Sequence, residues 1–272
     1  GCEIIASPYA DDSLSLARFC DVAIAVVGET PGRSGENNCV TDIGLPPGQL
    51  EWLKALKGMG IPVVAVVLTG RPLDLSWLHE NVEAVLLAWH PGVMGGLAIA
   101  EVLAGEFNPC GKLPITFPRS VGQVPIYYNR KRTGRPLDPY ERGMTRYVDS
   151  QDSPLYPFGY GLSYTSFTYG PTQIDGRKVF VEVTNSGDRA GEEVVQFYIQ
   201  DEVSKMTRPL RELKGFKRVT LAPGESCTVE FTATDETLQY LLPGGKPQVE
   251  PGSFQVWICA DSTKGKQNHL TL

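Results

Sequence analysis

The sequence has no run of about 18 or more apolar residues, so no segment of it is suited to cross a membrane as a helix. Histidine is scarce, at three residues, and the six cysteines (Cys2, Cys20, Cys39, Cys110, Cys227 and Cys259) lie far apart without Cys-x-x-Cys or mixed Cys/His spacing. That leaves no ligand set for a metal, and the cysteines read as core thiols rather than paired disulfides. Positive charge is not in excess: 25 Lys and Arg against 31 Asp and Glu leave a net charge of −6, which argues against a nucleic-acid partner. The opening residues, Gly1-Cys2-Glu3-Ile4-Ile5, carry neither an initiator Met nor the basic-then-apolar order of a signal peptide, so the chain is expected to be a fragment or a processed product. What is plentiful points to a folded protein. With 272 residues, 42% of them apolar, the chain is long enough for two domains with separate cores at roughly 150 residues each. Its 29 glycines and 21 prolines exceed the ordinary share, so shaped loops must occupy much of it.

Two periodicities divide the chain. Val22–Val27, Val63–Leu68 and Ala84–Trp89 are continuously apolar, as strands of a parallel sheet buried on both faces should be. Between the first two, Pro46-Pro47 opens a helix with Leu50, Leu53 and Leu56 at three-residue spacing, and Gly58 or Gly60 can supply a left-handed cap. A second helix is expected from about Gly95 to Leu103, stopping at Gly105. Strand, crossover helix and strand in repetition predict an open α/β sheet. From about Arg177 the period becomes two, in Val179-Val181-Val183, Val195-Phe197-Ile199, Cys227-Val229-Phe231 and Phe254-Val256-Ile258, which predicts a small antiparallel β-sandwich. The expected boundaries are an α/β domain over 1–125, a connecting segment over 126–165 and an all-β domain over 166–272.

In open α/β sheets ligands bind beyond the carboxyl ends of the strands, where loops converge. The loop Gly28-Glu29-Thr30-Pro31-Gly32-Arg33-Ser34-Gly35-Glu36-Asn37-Asn38 follows the first strand. It lacks the GxGxxG spacing and the Gly-Lys-Ser/Thr ending of phosphate loops, so neither a nucleotide nor any other cofactor is expected. It does hold two carboxylates, Glu29 and Glu36. Residue types and spacing alone do not choose between them, nor do they supply a second carboxylate to complete a hydrolytic pair. Trp89 and His90 end the third strand on the same rim and read as packing residues, since a lone His with no second ligand in view is a poor metal candidate.

Several blocks, however, carry a resemblance. Val26-Val27-Gly28-Glu29, Ser34-Gly35-Glu36, Thr41-Asp42-Ile43-Gly44-Leu45-Pro46, Trp89-His90-Pro91-Gly92, Asn108-Pro109-Cys110-Gly111-Lys112-Leu113-Pro114 and Tyr156-Pro157-Phe158-Gly159-Tyr160-Gly161-Leu162-Ser163-Tyr164 resemble glycoside hydrolase family 3, of the bacterial periplasmic β-glucosidase type. Arg208-Pro209-Leu210-Arg211-Glu212-Leu213-Lys214-Gly215-Phe216 is similar to that family's fibronectin type III-like domain. The resemblance implies an α/β sandwich with a mostly parallel sheet, followed by a fibronectin type III-like β-sandwich. It further implies a retaining β-glycosidase whose nucleophile lies on an amino-terminal (β/α)₈ barrel outside this chain. Glu36 matches the position of the general acid/base, and Arg33 and Ser34 beside it are candidates to touch sugar or orient Glu36. The implied partners are a β-glucoside or oligosaccharide and the barrel, with a homodimer as a further option, and the implied location is periplasmic or secreted.

The acid of a retaining pair must keep its proton near neutral pH, which takes desolvation or a neighbouring negative charge, so a covering barrel is part of the expectation. The sequence also departs from the family. Asn37-Asn38-Cys39-Val40 replaces the Gly-x-Asp-Arg that follows the glutamate in many members, so a basic residue is missing there, and Cys110 stands where serine is usual. The connector tyrosines Tyr127, Tyr128, Tyr140 and Tyr147, interleaved with Arg130, Lys131, Arg132 and Arg135, read as a docking surface more than as sugar platforms. A non-catalytic carbohydrate-binding or interaction module is the alternative reading.

Overall fold

A computed structural model describes residues 3–131 and 147–272. Tyr140, Arg132 and Arg135 lie outside the described residues, as does Cys2. The chain forms two compact units, Gly1–Leu103 with Phe117–Val124, and Ala104–Thr116 with Pro125–Leu272.

The first unit runs α1 (Ala10–Ala17), β1 (Ala23–Gly28), α2 (Gln49–Lys57), β2 (Val63–Leu68), α3 (Ser76–Asn81), β3 (Ala84–Leu87) and α4 (Gly95–Leu103), with a 3₁₀ turn at Val121–Gln123. The strands pair in the order β1-β2-β3, all parallel, with Ala25 opposite Ala65 and Val66 opposite Leu86. In α2 the three-residue spacing buries Leu53 and Leu56 while Lys54 and Lys57 sit at the negative end of the helix. The left-handed turn beyond it falls at Gly60 (φ 81°), whereas Gly58 remains right-handed. Helices α1 and α3 were not marked by an apolar stripe. The Trp52 indole N–H of α2 donates to Ser13 Oγ of α1 at 3.0 Å. At the start of β2, Glu83 accepts from Lys57 and from the Val63 N–H (2.7 Å), and these two bonds hold its carboxyl below the usual carboxylate range.

Burial on both faces holds for β2, where Val63, Ala65, Val66 and Val67 are fully covered, but it fails for β1. There Ala25 and Val27 face inward, while Ile24 and Val26 are 52% and 59% exposed. It fails for β3 as well, where no residue is fully buried, and the reason is layering: a strand's face is covered by elements packed on the sheet, and no described element covers Ile24 and Val26.

The second unit runs β4 (Phe167–Tyr169), β5 (Gln173–Asp175), β6 (Lys178–Asn185), β7 (Gly191–Asp201), β8 (Glu212–Leu221), β9 (Ser226–Thr232), α5 (Asp235–Leu238), β10 (Tyr240–Leu241), β11 (Pro247–Gln248), β12 (Ser253–Cys259) and β13 (Asn268–Thr271). One antiparallel sheet has the order β13-β12-β7-β8; in the other, β6 pairs with β4, β5 and β9. Val179, Val181, Val183, Val195, Phe197, Ile199, Val229, Phe231, Phe254, Val256 and Ile258 fill the space between them, as period-two strands require. Each such side chain contributes about 1.5–3 kcal/mol through removal from water.

The outer face of β7 and β12 is covered as well. Tyr198, Trp257 and Cys259 form a second cluster against Tyr128, Phe158 and Leu213. Tyr128 stacks on Phe158 at 4.2 Å between ring centroids, and its hydroxyl accepts from the Leu213 N–H. The expectation that Tyr128 belongs to a docking surface is thereby corrected: the connector packs on the sandwich, and this ring is consumed there. Tyr127 is exposed, and Tyr147 is partly covered. The Asn108–Leu113 block folds with this unit too. Asn108 Nδ2 donates to the Ala190 carbonyl, and Lys112 Nζ sits 3.0 Å from Glu193 Oε1, which also accepts from the Tyr169 hydroxyl. Burial together with the Glu193 charge pushes the Tyr169 hydroxyl's pKa far up. The described cysteines, Cys20, Cys39, Cys110, Cys227 and Cys259, are all free thiols.

Candidate active site

The loop from Gly28 to Asn38 leaves β1 at its carboxyl end. Gly28 turns the chain at φ 129°, and a Cβ there would lie 1.9 Å from the Leu68 carbonyl oxygen, so only glycine allows this exit beside β2. Gln49, the first residue of α2, holds the exit from the other side. Its side-chain Oε1 accepts the Gly28 N–H at 2.8 Å and its Nε2 donates to the Gly28 carbonyl at 2.9 Å, in the manner of a neighbouring strand.

The two candidate carboxylates meet different surroundings. Glu29 turns inward, its side chain fully buried, and its carboxylate accepts from Thr69 Oγ1 at 3.0 Å. Arg71 Nε lies 3.0 Å from one Glu29 oxygen and 3.1 Å from the other, while Arg33 Nε stands off at 3.9 Å. A charge so buried is tolerable because it is paired and hydrogen-bonded. Glu36 sits between Gly35 (φ 117°) and Asn37 (φ 64°), two residues in left-handed conformations, and is exposed to solvent. The local chain is folded tightly, with Arg33 N–H and Ser34 N–H to the Thr30 carbonyl and Asn38 N–H to the Gly35 carbonyl.

The two flanking candidates point into the loop's own framework. Arg33 Nη2 donates to the Asp42 carbonyl at 3.2 Å, and Ser34 Oγ is 3.0 Å from His90 Nε2. The neighbouring residue Gly70 is required for that contact, since a Cβ there would fall 2.2 Å from Ser34 Oγ and 2.7 Å from His90 Nε2. Trp89 takes the packing role, edge-on to the buried Phe117 ring at 5.8 Å, with its backbone at φ 53°. His90, expected to pack, instead stays exposed and reaches Ser34.

Thr69, Arg71 and Gln49 were not singled out from the sequence. The available signal was positional: Thr69-Gly70-Arg71 directly follows β2, on the same carboxyl rim as the loop after β1. Arg71 lies 42 positions from Glu29, beyond the reach of any local pattern.

Comparison with known proteins agrees with this framework. The glycosyl hydrolase family 3 C-terminal domain matches residues 7–164, and the fibronectin type III-like domain matches residues 193–262. A periplasmic β-glucosidase of Salmonella typhimurium is 46% identical over 98% of this chain and 36% of its own length. A β-xylosidase of Formosa agariphila is 40% identical over 92% of this chain and 35% of its own length. Among solved structures, a β-glucosidase from Listeria innocua in complex with gluconolactone superposes with a TM-score of 0.91 at 34% identity, covering 98% of this chain and 38% of its own. The chain thus spans about a third of the length of these relatives. With its parallel α/β unit, its β-sandwich and these matched segments, the chain belongs to glycosyl hydrolase family 3.

Proposed function

We propose that this chain is the carboxyl-terminal part of a retaining β-glycosidase, acting on terminal β-linked glucose, and that Glu36 is its general acid/base. The observation that carries the reading is the contrast between the loop's two carboxylates. Glu29 is fully buried and engaged by Thr69 and Arg71, whereas Glu36 stands exposed at the bend with no hydrogen bond or ion pair to the described residues. A proton donor has to be free for the substrate. In the proposed reaction a nucleophilic carboxylate on a (β/α)₈ barrel attacks the anomeric carbon while Glu36 protonates the departing oxygen. Glu36 then deprotonates the water that releases the sugar. The two carboxyl groups would stand ~5–5.5 Å apart. The exposed apolar stripe of Val22, Ile24 and Val26 supports the view that a further element covers this unit. The relatives' names include both β-glucosidase and β-xylosidase, so an aryl β-xyloside belongs in the assay. A periplasmic or secreted location is part of the proposal, from the name of the Salmonella relative.

The test is a chimera in which this chain replaces the matching carboxyl-terminal third of the Salmonella enzyme. Hydrolysis of an aryl β-glucoside is expected, with its loss in Glu36→Ala and recovery with external azide, which gives the β-glycosyl azide. Full activity in Glu36→Ala would refute the assignment. Oligosaccharide binding by the chain alone, with no activity in the chimera, would favour the non-catalytic module.

A further inference from the structure

Resting on the reading of Glu36 as proton donor, we propose that Arg71 is the positioning residue of the acid/base loop, one guanidinium that fixes both ends of the segment carrying Glu36. Its Nη2 donates to the backbone carbonyl of Arg33, three residues before Glu36, and to that of Asn38, two residues after it, at 3.1 Å. Its Nε meets the buried Glu29 carboxylate at the end of β1. Its own backbone N–H donates to Thr69 Oγ1 at 3.1 Å, and that hydroxyl donates to Glu29 Oε2.

The group therefore links a rigid strand end to both sides of a turn that has no regular secondary structure. Within the segment, the other restraints are the hydrogen bonds of tight turns, those from Arg33 Nη2 to the Asp42 carbonyl and from Asn38 Nδ2 to the Ser34 carbonyl, and the Ser34–His90 contact. Guanidinium geometry suits the task, because its donors point in fixed, coplanar directions. A lysine ammonium keeps the charge for Glu29 but concentrates its donors on one atom, so it cannot span the carboxylate and both carbonyls. The residues that follow, Asn37-Asn38-Cys39-Val40, include no cation, and Arg71, from the loop after β2, supplies one to this turn.

The functional consequence concerns aim. An error of about 1 Å in a reacting group can cost on the order of 10²-fold in rate. Only the proton-transfer part of the reaction should suffer, since Arg71 touches the donor's loop and no reacting atom. Leaving groups that depart as stable anions need no proton, so substrate choice separates misaim from general damage.

The experiment uses the chimera described above with Arg71→Lys, Arg71→Met and Glu36→Ala, and compares kcat/KM for phenyl and 2,4-dinitrophenyl β-glucosides. Expected in Arg71→Met is a loss of ~30–100-fold on the phenyl substrate and under about threefold on the dinitrophenyl substrate. Arg71→Lys should show a smaller loss with the same split. Equal losses on both substrates, or none, would overturn the proposal when Glu36→Ala shows the split. Absence of the split in Glu36→Ala itself would instead overturn the Glu36 reading. Hydrogen exchange of the 272-residue chain gives a second readout independent of turnover. Amides 33–40 should exchange about tenfold faster in Arg71→Lys, which keeps a cation for Glu29 but gives up the two carbonyl contacts, with β1 and β2 unchanged; unaltered exchange in the loop would also overturn the proposal.

Discussion

Replacing Gln49 tests whether the root of the acid/base loop is held as its geometry implies. The Gln49 amide makes two hydrogen bonds to the buried residue Gly28, accepting from its N–H and donating to its carbonyl, at 2.8 and 2.9 Å. Each contributes about 0.5–1.5 kcal/mol, and an orphaned buried N–H costs about 1–3 kcal/mol more. Gln49 itself is half-buried, so water can take up part of the loss, and Gln49→Ala should cost about 2 kcal/mol. At a urea slope of ~2 kcal/mol/M the midpoint falls by about 1 M. Tryptophan fluorescence follows this unit, which holds Trp52, Trp77 and Trp89, while Trp257 lies in the other.

Gln49→Glu sharpens the test. The carboxylate still accepts the Gly28 N–H but has nothing to donate to the Gly28 carbonyl, whereas the protonated acid has both functions. Folding should therefore raise this carboxyl's pKa above its unfolded value of about 4.3. The added stability is present below about pH 4.3 and is lost as pH rises through the folded pKa. Relative to Gln49→Ala, the Glu variant should gain stability on going from pH 7 to pH 4. An Ala variant within about 0.5 kcal/mol of wild type, or parallel pH profiles for the two variants, would refute the reasoning.

Three further outcomes are expected. Gly70→Ala should separate Ser34 from His90 by rotating these two side chains, at a stability cost below about 1 kcal/mol, seen as a shifted His90 ring signal in NMR with little change in melting temperature. Glu83, whose carboxyl is held low by Lys57 and the Val63 N–H, should stabilise the first unit above its ordinary value of 4.5 and lose that contribution as pH falls through the lower folded pKa. Thermal melts of Glu83→Gln between pH 3 and 7 should thus be flatter than those of wild type (the range being about that of carboxylate titration). Lys112→Met should destabilise the second unit by about 3–5 kcal/mol in denaturant titrations, because it strands Glu193, whose side chain is only 6% exposed; a loss under about 1 kcal/mol would mean that Glu193 is rescued by Tyr169 alone.

Much of the fold was legible because it depends on local period. Val63–Leu68 reads as a buried parallel strand, and Val179-Val181-Val183 and Phe254-Val256-Ile258 show which face of the sandwich strands lies inward. Short helices were not legible in the same way. Helix α3, Ser76–Asn81, is too brief to display a stripe, and α1 is fixed by contacts such as Ser13 with Trp52. The coverage of β7 on both faces also escaped the pattern, because Tyr198 is buried by Tyr128 and Phe158 from distant parts of the chain.

The candidate site divides along the same line. Sequence alone determined that a glycine-rich loop bearing Glu29 and Glu36 follows the first strand, since strand, glycine and turn chemistry are encoded by neighbours along the chain. Only the tertiary structure decided that Glu29 is enclosed by Thr69 and Arg71, that Gln49 clasps Gly28, and that Glu36 is exposed without a partner among the described residues. Those contacts join residues 21 to 42 positions apart, and a carboxylate's surroundings depend on what folding brings beside it, which no periodicity records.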